Sequence, residues 1–172
     1  WVSESLCFKV HPGCAYIDTA VDAMLEIMAQ FQDRHGRSLA VADVRNIRVR
    51  TTLLGSEMHR MTSAAQPESL TPVWINFSIP NSLAVCIRAG RLTPAELDYK
   101  YLSEGRDGIL ALASKIQVEH DWALTLEMIE GINKCLPLSE LLGEVDLRRV
   151  LTQKNELGRQ FGGLVDLKPR DV

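Results

Sequence analysis

The stretch FKVHPGCAYIDTAVDAMLEI, Phe8–Ile27, decides how the chain reads. Leu6, Phe8 and Val10 alternate with Cys7 and Lys9, which predicts a short strand ending at His11-Pro12-Gly13. From Ala15 to about Arg34, Ile17, Val21, Met24, Leu25, Met28 and Phe31 recur at helical spacing, with Asp18, Asp22 and Glu26 on the opposite face. This predicts an amphipathic helix closed near Gly36. No Ser, Thr, Asp or Asn precedes it as a cap. Lys9, His11 and Cys14 crowd the approach instead.

Further along, Ile47, Val49, Thr51 and Leu53 alternate with Arg48, Arg50 and Thr52, predicting a strand with one apolar face and one solvated face bearing two guanidinium groups. Gly55 to Thr71 is polar, small and contains Pro67, so it reads as a long connection, either mobile or an active-site lid. A helical pattern runs from about Ser78 to a stop at Gly90, and the helix either starts near Pro80 or kinks there. Thr93, Pro94 and Glu96 form a capping box opening a short helix through about Tyr101. A further helix is expected over about Gly108–Lys115, a second strand at Ile116 and Val118, and another helix over Ala123–Leu136. Residues 138–155 read as one or two short helices, and GGLVDL at 162–167 as a closing strand. Strands and helices are interspersed, with too few strands for a doubly wound sheet, so the expected fold is α+β in a single domain, a small sheet packed against several helices.

Of the 172 residues, 46% are hydrophobic and 24% charged, an ordinary composition for a globular domain with a real core. A net charge of -3 with scattered Lys and Arg argues against nucleic acid as a partner. No apolar run approaches the roughly 18 residues needed to span a bilayer, so no membrane role is expected. WVSESLCFKV lacks the features of a signal peptide, and the expected location is cytoplasmic. The first residue is Trp1 rather than Met, leaving open a processed product, a trimmed chain or a piece of something longer. Cys7, Cys14, Cys86 and Cys135 show no CxxC spacing and suit reduced thiols. Cys7, His11 and Cys14 offer three metal ligands, but Pro12 tightens the loop and no fourth ligand is close, so no metal is expected.

The common phosphate-binding, nucleotide-binding, zinc-protease and serine-hydrolase signatures are absent. The chemistry therefore gathers at KVHPGC, residues 9–14. The first N–H groups of a helix are unpaired and carry partial positive charge, and Lys9 adds a full one, so together they could hold a carboxylate. The same terminus favours a Cys14 thiolate, and His11 is the side chain best able to move a proton near neutral pH. Equally open from the residues alone, Lys9 points to solvent, His11 fills a turn and Cys14 is a small buried side chain.

FKVHPGCAYIDTAVDAMLEI resembles the K-x-Y/F-P-x-C/H...A-x-x-A-x-x-L segment of the MmgE/PrpD family, which includes 2-methylcitrate dehydratase, cis-aconitate decarboxylase and iminodisuccinate epimerase. INFSIPNSLAVCIRAGRLT resembles that family's A-x-F-S-[IL]-P-Y-x-[VL]-A-x-x-L-x-x-G-x-[LI], and ALASKIQVEHD its I-x-x-L-x-x-K-[IV]-x-[VI]-x-x-D. IRVRTT falls where the family has a strand after the first helix. The resemblance covers residues 6–121 of a domain spanning 1–172, with 122–172 a helical tail outside the clear match.

The resemblance implies the smaller α+β domain of a two-domain lyase acting on a small di- or tricarboxylate without metal or organic cofactor. Dehydration, begun by removing a proton next to a carboxylate, is the expected reaction, with decarboxylation and epimerisation as sister outcomes. It implies three partners: the polycarboxylate substrate, the family's large helical domain, on the same or a separate chain, and a second copy in a homodimer. Lys9 matches the lysine that binds a substrate carboxylate, Cys14 a site-lining cysteine or histidine, and His11 a position where an aromatic residue is usual. Asn81 takes the place of the tyrosine in S-[IL]-P-Y, and its carboxamide hydrogen-bonds but is no phenolic acid. Ser78 either contacts substrate or caps its helix. His11, Cys14 and Asn81 are thus the candidate catalytic residues, and Lys9 and Ser78 the candidate substrate-binding residues. The competing readings are a non-catalytic interaction module and one half of a split enzyme.

Overall fold

The computed structural model describes residues 9–63 and 70–135. The expected strand at Leu6–Val10 lies mostly outside them, with Lys9 and Val10 in irregular loop, and the elements expected at 138–155 and 162–167 lie wholly outside. Six α-helices and a two-stranded parallel sheet make an α+β fold among the described residues. Backbone contacts divide the chain into two compact units, one ending at Asp121 and the second beginning at Trp122.

Helix α1 runs Ala15–His35 and buries Ile17, Val21 and Met24, the first part of the predicted apolar face. Gly36, at φ 66°, closes it with its N–H on Gln32 O. Strand β1, Ile47–Thr51, follows a 3-10 turn at Val41–Asp43. Arg37 clamps that turn by a bidentate pair with Asp43 at 2.7 and 2.8 Å.

Leu53, expected to end the strand, and residues 55–63, expected as part of a connection, belong instead to helix α2, Leu53–Ser63. Thr52 Oγ1 accepts the Gly55 N–H at its start, and Glu57 pairs with Arg60 at 2.7 Å along its exposed side. Leu54, Met58 and Met61 recur at helical spacing, but Leu54 and Met61 are exposed and the buried residue is Gly55, set directly against Thr51. Helix α3, Pro72–Ile75, is a single turn capped by Thr71.

Helix α4, Ile79–Ala89, begins on the Ser78 cap with Pro80 in its first turn and stops at Gly90. Every residue from Asn81 to Ile87 is buried, as expected of a helix enclosed on all sides. It packs against α1 on one side and against α5, Tyr99–Ala113, on the other. Leu83, Leu102, Ile109 and Ile17 meet in this core. Each such side chain contributes about 1.5–3 kcal/mol on burial.

The capping box holds: Thr93 N–H donates to Glu96 Oε2 at 2.9 Å. It opens only a 3-10 turn, Pro94–Leu97, after which Asp98 caps a new helix by accepting the Lys100 N–H at 2.8 Å. Helix α5 thus starts nine residues earlier than the expected Gly108. Gly105 and Gly108 do not break it, because they make room for Arg88: a Cβ on Gly108 would lie 2.7 Å from the Arg88 guanidinium.

Strand β2, Ile116–His120, pairs in parallel with β1, Ile47 opposite Ile116 and Thr51 opposite His120. On the solvated face Arg48 reaches Glu119 at 3.3 Å and Arg50 reaches Asp121 at 3.0 Å, each two positions past its register partner. The second unit contributes helix α6, Trp122–Cys135. Among the described residues no helix is long and apolar enough to cross a membrane.

Candidate active site

The loop before α1 is fixed at several points. Gly13, at φ 118°, takes a conformation that favours glycine, and a Cβ there would press to 3.2 Å on the Asn76 carbonyl. Beside it the Cys14 N–H donates to the same carbonyl at 2.9 Å. Cys14 occupies the N-cap position of α1 with no side-chain capping bond, as the sequence implied. Lys9 Nζ donates to Gly13 O and lies 3.5 Å from Asp18 in the first turn of α1. Asp18 Oδ1 and Asn76 Oδ1 are buried without hydrogen-bond partners, so the surroundings of this loop are rich in unsatisfied acceptors.

His11, in the same loop, engages the next turn of α1. It is only 7% exposed, with Nε2 2.7 Å from Asp22 Oδ1 and Nδ1 3.4 Å from the Leu92 carbonyl. Both ring nitrogens are thereby engaged, and Cys7, the third residue weighed as a metal ligand, is outside the described residues.

Ser78 and Asn81 come together in a cleft of about 510 Å³, between the end of α2, the start of α4 and one side of α5. Its polar lining is His59, Ser63, Ser78, Asn81, Arg106 and Ser114, and its apolar floor includes Trp74 and Ile116. Ser78 Oγ caps α4 by accepting the Asn81 N–H at 3.3 Å. Asn81 is 6% exposed. Lys9, His11 and Cys14 are not among the residues that line this cleft.

Sequence reading missed His59, Ser63 and Arg106. His59 and Ser63 are one turn apart on α2, with Ser63 Oγ 3.3 Å from the imidazole nitrogens. Burial pushes the His59 pKa below its ordinary value, so the neutral, proton-accepting imidazole is favoured. Arg106, whose Nη1 lies 3.2 Å from Asp107, gives the cleft a permanent positive charge. The signal for His59 and Ser63 was their four-residue spacing, and for Arg106 the Asp98 cap that extends α5 back past it.

A second groove of about 420 Å³, between α1 and the end of α4, is lined chiefly by apolar residues such as Leu25, Met28, Leu39 and Ile87, with Arg88 at its edge. It holds no proton-transfer group, and the cleft with a histidine, an arginine and a carboxamide is the better candidate for chemistry.

Tyr16 links the two polar regions. Its hydroxyl donates to Phe77 O at 2.6 Å, immediately before Ser78. Burial, and then the nearby Cys14 thiol, push its pKa up to about 12 against a lowering by Thr62, near the end of α2. The KVHPGC loop and the cleft mouth are therefore joined through Asn76, Phe77 and Tyr16.

No curated protein matches the chain. The model of the MmgE/PrpD C-terminal domain matches residues 11–136, well over half of the sequence, and the chain belongs to that family as a C-terminal domain.

Proposed function

We propose that this domain supplies one wall of the active site of a lyase that removes water from a small di- or tricarboxylate. The observation that carries the reading is the cleft on which His59, Arg106, Ser78 and Asn81 converge, in a domain of a dehydratase-type family. Its volume of about 510 Å³ falls within the roughly 300–1,000 Å³ of small-molecule sites.

Arg106 brings a positive charge to the cleft that attracts one carboxylate. Lys9, on the loop joined to the cleft mouth through Asn76, Phe77 and Tyr16, serves a second: its ammonium donates to Gly13 O and forms an ion pair with Asp18 at 3.5 Å, with N–H capacity left for a ligand. Neutral His59 accepts the proton from the carbon next to a carboxylate, while the cations stabilise the charge that develops there. Asn81 and Ser78 orient the leaving hydroxyl as hydrogen-bond partners; as the C=C bond forms and the C–O bond breaks, the proton held by His59 is returned to the departing oxygen, which leaves as water. The helical domain of the family completes the cleft from the opposite side, on the same chain or a second one, and a homodimer is the expected assembly.

The test pairs the domain with that helical domain and offers citrate, 2-methylcitrate and cis-aconitate. Turnover of one of them, falling at least about tenfold in both Lys9→Ala and Arg106→Ala, supports the reading. Turnover of none, or full activity in both variants, overturns it.

A further inference from the structure

We infer that His11 is a positioning residue that sets the Lys9–Cys14 loop through its protonation, an inference that rests on the reading of Lys9 as a carboxylate-binding group. The loop runs along one acidic face of α1: Lys9 stands at Asp18, and His11 stands one turn further on at Asp22. Both neighbours of the buried ring are acceptors, the Asp22 carboxylate at Nε2 and the Leu92 carbonyl at Nδ1.

A neutral imidazole has one N–H and one lone pair, so it can satisfy only one of these oxygens and sets its lone pair against the other. The imidazolium donates to both. A proton taken from solvent at His11 thus fastens the loop to α1 and to the turn at Leu92 at once, and its loss releases one of the two fastenings. The charged group in contact with the ring is Asp22; the segments it touches also carry Asp18, one turn earlier on α1 and paired with Lys9 of the same loop, and the Arg91–Glu96 pair beside Leu92.

Lys9 is two residues from His11, and Gly13, whose carbonyl Lys9 contacts, is two residues beyond it. The ring therefore sits at the midpoint of the segment that aims the ammonium group. An aromatic hydrocarbon at this position would fill the same space without the response to protons.

The experiment follows the backbone amide signals of Lys9–Cys14 and the His11 ring by NMR as pH is lowered from about 8 to about 5.5. Citrate affinity is measured across the same range. In the unaltered chain the loop signals are expected to move in step with the His11 ring, and citrate to bind about fivefold tighter at the acid end. His11→Phe should abolish the loop response and hold the affinity change under about twofold. Asp22→Asn, a substitution at a side chain that is 66% exposed and safe for folding, should shrink the response by about half. A loop that ignores the ring titration, or one that responds equally in His11→Phe and Asp22→Asn, overturns the inference. A loop that responds while citrate binds at no pH upholds the role of His11 and removes the polycarboxylate reading instead.

Discussion

The phenol of Tyr16 donates a 2.6 Å hydrogen bond to the carbonyl of Phe77, fastening the first turn of α1 to the residue before the α4 cap. Tyr16→Phe keeps the ring and removes this bond, so it should cost about 1 kcal/mol in urea unfolding. Because the folded pKa is raised from 10.0 to about 12, the contribution is intact below pH 10 and is lost as pH rises through about 12. Tyr16→Phe should flatten that alkaline loss.

Glu96 is 4% exposed yet ionised. Burial pushes its pKa up, but hydrogen bonds from Thr93 and Arg91 outweigh that, and the net direction is down from 4.5. A carboxylate lowered on folding stabilises above its unfolded pKa, and the benefit fades as pH falls below about 4.5 toward the lower folded value. Glu96→Ala leaves Arg91 and Thr93 without their acceptor and should cost about 3 kcal/mol, measured by chemical denaturation near neutral pH.

At Gly55 a methyl group would come 2.3 Å from Thr51 Oγ1 and 3.4 Å from Thr51 Cβ. The threonine is branched at Cβ and cannot swing clear as a long side chain would. Gly55→Ala is expected to destabilise by about 2 kcal/mol despite better helix propensity, and Gly55→Ala with Thr51→Ser to recover part of the loss.

His59 shares the sign of the Glu96 pH dependence, but burial is its cause and it acts in the histidine range. With its folded pKa held below 6.5 by burial, the unfolded chain takes up the proton first, so stability should fall as pH drops through 6.5. His59→Gln removes this slope, and its ring signals in the unaltered protein should titrate below the ordinary histidine value. Thermal melts at a series of pH values, beside a ring titration by NMR, check both.

Helix α1 was legible because its apolar positions repeat over many turns and the ones at its start, Ile17, Val21 and Met24, are the buried ones. The strands were legible from alternation, which burial follows along Ile47–Thr51. Their parallel pairing was not, since it depends on the helices between them. Helix α2 was hidden because its packing residue is Gly55, and the first half of α5 because Gly105 and Gly108 look like breakers until Arg88 is seen lying against them. The same two gaps concealed His59, Ser63 and Arg106. Asn81 and Ser78 stood in a recognisable motif, and the structure places both in the cleft.

Ile47 and Ile116 are partners across 69 positions of chain. Closing a loop of that length costs about 4 kcal/mol of chain entropy before any contact rewards it. Helices α4 and α5, joined by a short turn, face a far smaller barrier and are suited to assemble first. The parallel pair then behaves as a clasp that shuts last, with the staggered arginines selecting the notch in which it catches. Loosening it by Val49→Ala should quicken unfolding while leaving the refolding rate almost untouched.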